Sequence, residues 1–487
     1  MTVHHQTTQP QNSIRNSALI TNINEIINSV WGIGILGILT FIAFTFSLEL
    51  EFYTFVALYT IYVSIFSEDL RSIMPLFILC YITPSKINNP GTFTGGLFYG
   101  ETGTYLIAVA SVSVLALILR IILDPKMGLR RLFTTKRALL PSMLILGASY
   151  LLSGILHPQY AEYAKNNLIF ASIQFASVFL LYFIFSAAID WESFDFDYFA
   201  ALGLTIGLVV AAEVGITYLV GDVISDGAII RYQIQTGWGC YNNVGAIITI
   251  SIPFAFYFAS RKTENAIFFF TACFLFVAVI FSCSRGSLVG ALFAFIPSII
   301  YTFVTSENKI QFRISSFVLL IVLLLMAVTN LEKLIDVFRN VPAIFVQEND
   351  NITASDSGRF DYYKAGFQVF LRNPIFGQSF YPIEHELYSF SVVSDFISFF
   401  PPRWHNTVIQ MIASCGIVGL IAYLYHRFKT IELYFKKPTK ENTYLLFAMI
   451  SFCAMSFLDC HFFNVGPVFF YSMTFAVAEF APTKYKK

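Results

Sequence analysis

Apolar residues occur along this chain in long runs, and polar residues gather in short stretches between the runs. Many runs reach about 20 residues, the length at which a helix crosses a hydrocarbon core about 30 Å thick. The pattern therefore predicts an all-α polytopic membrane protein with about 12 to 14 transmembrane helices. The predicted helices are 31–48, 52–68, 72–87, 104–124, 137–157, 164–189, 197–220, 241–259, 264–284, 286–305, 312–333, 405–427, 442–459 and 462–481.

The predicted helix 241–259, "YNNVGAIITISIPFAFYFA", contains Gly245 and Pro253. We expect these two residues to break the helix, which neighbouring helices then have to accommodate. The chain has no visible internal repeat, which argues against a transporter built from repeated halves.

Composition agrees with a membrane protein. Of the 487 residues, 56% are hydrophobic and 12% are charged, whereas soluble domains have about 25% charged residues. The formal net charge is zero, and the chain has no basic stripe with interleaved aromatic residues. We therefore expect a lipid bilayer as partner and no nucleic acid. The seven cysteines are scattered without metal-ligand spacing, and we expect no metal and no cofactor.

The short basic loops predict the orientation, because such loops stay in the cytoplasm. The loop "DPKMGLRRLFTTKR" is strongly basic, and if it is cytoplasmic, the other basic short loops also fall inside. The protein is then a multi-pass membrane protein with both termini in the cytoplasm. The expected parts are a cytoplasmic segment 1–30, transmembrane helices 31–333, a large extracytoplasmic loop 334–404, transmembrane helices 405–481 and a cytoplasmic tail 482–487.

The large loop is predicted to contain an amphipathic helix. In "SGRFDYYKAGFQVFLRNPIFGQ", aromatic residues recur every three or four positions. Ser355, Asp356 or Ser357 is expected to cap the start of this helix, and Asn373 begins the stretch that ends it. Such a helix would lie on the outer membrane surface or over the mouth of a cavity.

Four polar clusters fall on the predicted outer face: "TGWGCYNNVG", "SCSRGSLVG", the loop helix with its arginines, and "PPRWHN". Each has a structural alternative. Arg285 could be a snorkelling cation at a helix end, Arg359 a solvated helix-start residue, and His405 a polar helix-entry residue. Asn242 and Asn243 could be turn or cap residues.

Taken together, the clusters suggest phosphate chemistry. A guanidinium group binds phosphate oxygens with two parallel hydrogen bonds, and a neutral histidine can accept a proton from an attacking hydroxyl. Asp356, Asp361, Glu384 and Glu386 are candidates for orienting that histidine. The residues alone do not identify the substrate.

The phrases "GCYNNVGAIITISIP", "SCSRGSLVGALFAF", "GRFDYYKAGFQVFLRNPIFGQSF" and "HNTVIQMIASCGIVGLIAYL" occur in this order. In that order they resemble the O-antigen ligase and polymerase family of bacterial surface-polysaccharide assembly. The resemblance covers about residues 237–424, and the preceding helices agree in hydropathy alone.

The resemblance implies a metal-independent glycosyltransferase of the GT-C class that acts at the outer face of the plasma membrane. Its donor would be a glycan on undecaprenyl diphosphate, and its acceptor a hydroxyl of a glycan or glycolipid. Arg285 and Arg359 resemble the arginines that hold the diphosphate, and His405 resembles the base that activates the acceptor. Arg403 is expected as a secondary phosphate contact. The asparagines of the same motifs are expected to bind substrate; they are Asn242, Asn243 and Asn406.

Two other hypotheses remain open at this stage. A lipid-linked oligosaccharide flippase or other polysaccharide transporter would need charged residues along a path through the membrane, and Glu213 is a rare candidate for such a residue. A non-catalytic component of an assembly complex would be expected to have lost some motif residues. The motifs do not separate a polymerase from a ligase, because both use the same donor.

Overall fold

We describe the fold from a computed structural model. It describes residues 18–67, 69–82, 100–123, 132–156, 164–220, 223–225, 228–229, 234–236, 239–261, 265–329, 358–380 and 403–481. The α-helices of these residues are α1 Ala18–Ile27, α2 Val30–Phe46, α3 Glu49–Phe66, α4 Met74–Ile82, α5 Gly100–Leu123, α6 Leu140–Ile155, α7 Ala164–Phe175, α8 Leu181–Ala188, α9 Phe196–Val220, α10 Tyr241–Ala259, α11 Asn265–Phe281, α12 Arg285–Thr305, α13 Lys309–Thr329, α14 Gly358–Arg372, α15 Thr407–Lys436, α16 Lys440–Ser456 and α17 Val465–Phe480.

The all-α prediction is confirmed, with minor additions. Two antiparallel pairs of two-residue strands occur, β1 Ile224–Ser225 with β2 Ala228–Ile229, and β3 Gln235–Thr236 with β4 Gly239–Cys240. A π-helical turn separates α7 from α8, and 3₁₀ turns occur at Arg71–Ile73 and His461–Phe463.

Five described helical stretches are long and apolar enough to cross a membrane, or six if α1 and α2, bent by 74°, form one span. They are 164–188, α9, α10, α12 and α15. Five shorter apolar helices accompany them. The chain is therefore a polytopic membrane protein, while the number of 12 to 14 spans stays a prediction.

The chain divides into two compact units. Unit 1 comprises residues 1–136, 183–240 and 480–487. Within it, α2 packs closely on α9 because Gly37 has no side chain to meet Thr205. Glu213 lies in α9 and is fully buried.

Unit 2 comprises residues 137–182 and 241–479 and includes every candidate site residue. Its α10 packs against α11, α12 and α16, and the whole helix is continuous. The expected break at Gly245 and Pro253 is therefore wrong. A Cβ on Gly245 would lie 2.6 Å from the hydroxyls of Ser282 and Ser287, so this glycine allows close helix packing.

The second correction concerns α15. The predicted helix 405–427 begins two residues later, at Thr407, and continues to Lys436. Its interior includes Arg427, the last residue of the predicted helix. The Arg427 guanidinium lies 4.7 Å from the ring centroid of Tyr423 and 4.8 Å from that of Phe462. Aromatic faces attract such a cation, which allows it to lie inside the protein.

Candidate active site

Five chain segments of unit 2 meet at one end of the bundle, which we call the site end. They are the starts of α10, α12, α15 and α17 and the turn that follows α16. Side-chain hydrogen bonds, three to other side chains and one to a backbone carbonyl, join these segments directly. The candidate residues of the second and fourth sequence clusters are therefore brought together in space, although more than 100 positions separate Arg285 from His405.

His405 lies immediately before the N-cap of α15. Its φ of 51° is in the left-handed region, which few residues other than glycine adopt. This backbone conformation persists because the surroundings hold it. The hydroxyl of Tyr363 donates to the His405 carbonyl (3.1 Å), and the ring of Tyr362 meets the imidazole edge to face, with centroids 5.4 Å apart. Strained residues of this kind concentrate at functional sites.

Asp459 faces His405 from the turn after α16. Its Oδ1 lies 3.4 Å from Nδ1 of His405, a distance in the ion-pair range and longer than a short hydrogen bond. The other ring nitrogen, Nε2, is left for a different partner. The His405 side chain is 36% exposed and that of Asp459 is 13% exposed, so the pair opens to the surroundings on the histidine side.

The electrostatics favour an ionised Asp459. Burial alone would raise the pKa of its carboxyl, but the imidazoles of His405 and His461 and the backbone N–H of Cys460 hold this pKa below the ordinary aspartate value. A carboxylate at this position fixes the orientation of the histidine ring and favours a proton on Nδ1.

Asn242 extends this arrangement towards α12. Its Nδ2 donates to Oδ2 of Asp459 (2.8 Å), and its Oδ1 accepts from the hydroxyl of Ser284 (2.9 Å). Ser284 is the N-cap of α12 and accepts from the backbone N–H of Ser287. Arg285, the first residue of α12, has an exposed side chain. The chain of contacts therefore joins the start of α12, where Arg285 lies, to the carboxylate beside His405.

The remaining predicted substrate-binding residues make structural contacts. Asn406 caps α15 by accepting from the N–H groups of Val408 and Ile409, at 2.8 and 3.1 Å. Its Nδ2 also donates to the carbonyl of Phe457. Oδ1 of Asn243 accepts from Nδ2 of Asn464 at 2.8 Å.

The guanidinium of Arg403 contacts neighbouring residues of the protein. Its Nη2 donates to the carbonyl of Phe463 (2.9 Å), and its guanidinium lies 4.9 Å from the ring centroid of Phe170. A phosphate contact by Arg403 stays a prediction, and the contacts seen in the structure position the turn that follows Asp459.

The loop helix is confirmed as α14, which begins at Gly358 and ends at Arg372. Arg359 lies in its first turn, three residues before Tyr362, and its side chain is outside the described residues. The expected caps at 355–357 and the orienting candidates Asp356, Glu384 and Glu386 also lie outside them, as does the side chain of Asp361.

Asp459, the described carboxylate beside His405, was not among the site residues predicted from the sequence. The available signal was "LDCHFFN", a polar interruption between two apolar runs on the predicted outer face. Within the described ranges, no group of three or more His, Cys, Asp and Glu residues is arranged to hold a metal ion.

Comparison with known proteins identifies the region that contains most of this site. Residues 268–424 match the family model described as O-antigen ligase. This stretch of the chain is similar to the O-antigen ligase domain. The matched stretch includes Arg285, α14 and His405, whereas Asn242 and Asp459 lie outside the match. No curated protein matches the chain. The family supports an enzyme of the O-antigen ligase or polymerase type, a multi-pass location in the plasma membrane, and a lipid-linked glycan as substrate.

Proposed function

We propose that the protein is a metal-independent membrane glycosyltransferase of surface-polysaccharide synthesis. It transfers or polymerises a glycan from an undecaprenyl-diphosphate carrier onto a sugar hydroxyl at the outer face of the plasma membrane. The observation that supports this proposal most strongly is the His405–Asp459 pair, held at a polar end of an apolar bundle.

In the proposed reaction, the acceptor hydroxyl oxygen attacks the anomeric carbon of the donor sugar. The bond between that carbon and the diphosphate oxygen breaks, and the diphosphate leaves with its lipid. Nε2 of His405 takes the hydroxyl proton, while Asp459 stabilises the imidazolium that forms. Arg285 and Arg359 bind the diphosphate and stabilise the negative charge that develops on it.

The opposite end of unit 2, which we call the basic end, supports an outer location of the site. There, α10, α12 and α15 end, and α13 and α16 begin. The short connections at this end and the first residues of the helices that follow them include several cations, among them Arg261, Lys309, Lys437 and Lys440. At the site end, the connections from α11 to α12 and from α16 to α17, together with the first residues of α12 and α17, include one lysine or arginine, Arg285. Because basic short loops remain in the cytoplasm, the basic end is the proposed cytoplasmic end.

The exposed face of α14 fits this orientation. Phe367 and Leu371 are exposed apolar residues on this helix, and Ile375 and Phe376 follow in the turn after it. Such a helix is suited to lie at the membrane interface with these residues in lipid. The loop helix would then cover the site at the level where a lipid carrier presents its diphosphate.

The test is to express the wild type, His405→Ala and Arg285→Ala in the native host and to follow surface-polysaccharide length and attachment. Arg313→Ala is the matched control, because Arg313 is an exposed arginine in α13 at the basic end. We expect both site variants to abolish assembly at normal expression and the control to retain it. Unchanged assembly in well-expressed site variants would refute the catalytic proposal.

The same experiment separates the two family activities. Single repeat units that accumulate on the carrier lipid would indicate a polymerase. Long chains that stay on the lipid without attachment would indicate a ligase.

A further inference from the structure

α15 is interrupted at Gly416, where φ is 63° and ψ is −160°. In a continuous α-helix, the N–H of each residue donates to the carbonyl four positions earlier. The carbonyls of Ala413 and Ser414 would then accept from Ile417 and Val418. The interruption separates these two pairs and leaves four backbone groups inside the protein that need other partners.

Residues 374–379, which we call the clamp segment, bind all four groups. Ile417 N–H donates to the carbonyl of Pro374 (2.8 Å), and Val418 N–H donates to that of Ile375 (3.2 Å). In return, the clamp segment donates two N–H groups to α15. The N–H of Gln378 donates to the carbonyl of Ala413 (2.9 Å), and the N–H of Ser379 donates to the carbonyl of Ser414 (3.0 Å). The clamp segment is thus inserted into the hydrogen-bond ladder of the helix.

Two glycines make the insertion possible. Gly377 has a φ of 71°, and a Cβ there would lie 2.4 Å from the carbonyl carbon of Ser414. A Cβ on Gly416 would lie 2.3 Å from the carbonyl oxygen of Ile375. Any other residue at either position would meet backbone atoms and would have to adopt a left-handed conformation.

The clamp segment fixes the C-terminal end of α14, and His405 contacts residues near its N-terminal end. Tyr362 and Tyr363, in the second turn of α14, hold the ring and the carbonyl of His405. Between the two ends, Gly366 lies against Ile409 and Trp404, where a Cβ would come within 2.5 Å of the Ile409 side chain. α14 therefore runs parallel to the first half of α15. Contacts with His405 join the two helices at their starts, and the clamp segment joins them near Gly416.

We infer that the clamp segment is a positioning element of the active site. It competes with α15 itself for the same four backbone groups, so α15 is either interrupted with the clamp inserted or continuous with the clamp released. Insertion holds α14 against His405, and release frees α14 from the site. This inference rests on the proposed function for its consequence in catalysis, while the insertion itself can be tested without it.

The test uses full-length protein in lipid nanodiscs and hydrogen–deuterium exchange read by mass spectrometry. Gly416→Ala disfavours the interrupted form and favours the continuous helix. We expect exchange at Gln378 and Ser379 to become about tenfold faster or more, because their acceptors are lost. Exchange at Ile417 and Val418 should stay slow, because these amides then donate to Ala413 and Ser414.

A second variant, Gly377→Ala, disrupts the clamp from its own side and leaves the sequence of α15 unchanged. It should give the same exchange pattern. The matched control is Gly215→Ala, a helix-interior glycine with open space around it, which should leave exchange at both segments unchanged. Slow exchange at Gln378 and Ser379 in both clamp variants would refute the inference, and so would fast exchange at all four amides.

Two further readouts connect the clamp to the site. Diethyl pyrocarbonate should modify His405 faster in both clamp variants, because the Tyr362 ring no longer covers the imidazole. In a transfer assay with lipid-linked donor, kcat should fall by about tenfold or more, with a smaller change in the KM for the donor, because the reacting groups lose their alignment. Unchanged His405 modification would refute the positioning role. A wild type that transfers no glycan would refute the proposed function and leave the exchange result intact.

Discussion

At the basic end of unit 2, cations are matched by nearby acceptors, whereas at the site end a carboxylate is matched by neutral donors and an imidazole. Lys440 Nζ donates to the Ser260 carbonyl (3.1 Å) and lies 3.7 Å from Glu307. Asp459, in contrast, accepts from Asn242 and from a backbone N–H and faces His405. The basic end uses charge to join helices. The site end holds one ionised group so that a neighbouring ring keeps a fixed orientation.

This difference separates stability from activity in a way that can be measured. Substitutions of His405 and Asp459 at the site end should change the reaction far more than the melting temperature. Substitutions at the basic end should do the reverse.

The largest effect is expected for His405→Asn. Asparagine adopts left-handed backbone conformations readily, so the variant retains the local fold while it removes the proposed base. We expect the transfer rate to fall by about 10²- to 10⁴-fold, the usual contribution of a general base. The rate is measured in nanodiscs with lipid-linked donor, and thermal melting should match the wild type. Substantial residual activity in a well-folded variant would show that another group accepts the proton.

Asp459→Asn should have the next largest effect. The amide has nearly the same shape but no charge, so it cannot stabilise an imidazolium and no longer favours the proton on Nδ1. We expect a rate loss of about 10- to 100-fold, the range typical of removing a partner that orients a metal-bound histidine. Glu432→Gln is the matched control, because Glu432 lies at the basic end between Lys429 and Lys436. A loss of similar size in the control would contradict the contrast between the two ends.

The third prediction distinguishes a cap from a substrate contact. Asn406→Ala removes the cap of α15 and should destabilise the protein by about 1 kcal/mol or more. Asn406→Asp retains the capping oxygen but loses the hydrogen bond to the Phe457 carbonyl, so it should recover part of that loss. Thermal melting measures both. If Asn406 binds substrate instead, Asn406→Asp should raise the KM for the donor while melting stays normal.

Much of unit 2 follows from local pattern. The three- and four-residue spacing of aromatic residues predicts α14, and the structure places the helix at Gly358–Arg372. The positions of α10 and α12 also follow from hydropathy and their flanking polar residues. These features depend on residues close in sequence, which a single chain displays directly.

The interruptions of helices do not follow from local pattern. Gly245 and Pro253 predict a break that is absent, because Gly245 is needed for close packing on Ser282 and Ser287. Gly416 marks a real break, which exists because a segment about 40 residues earlier supplies the hydrogen bonds. A glycine that permits close packing and one that permits a left-handed turn look alike in the sequence.

The candidate site is also only partly predictable from local sequence pattern. His405 and Arg285 stand out because polar residues at helix ends are conspicuous in an apolar chain. Asp459 is less conspicuous, because the apolar run 442–459 includes it as a last residue. Its role depends on a contact with a residue 54 positions away, formed by the packing of α15 and α16.

The smallest effect is expected for Lys440→Met at the basic end. Methionine keeps the apolar part of the side chain but removes the ion pair with Glu307 and the hydrogen bond to Ser260. Pairs of this kind contribute about 1 kcal/mol or less, so the melting temperature should fall slightly. The transfer rate should stay unchanged, because the basic end does not contact the reacting groups. Lys440→Arg, which can renew both contacts, should melt like the wild type. A large rate loss in Lys440→Met with normal melting would mean that the two ends are coupled, and the division between a structural end and a catalytic end would then be wrong.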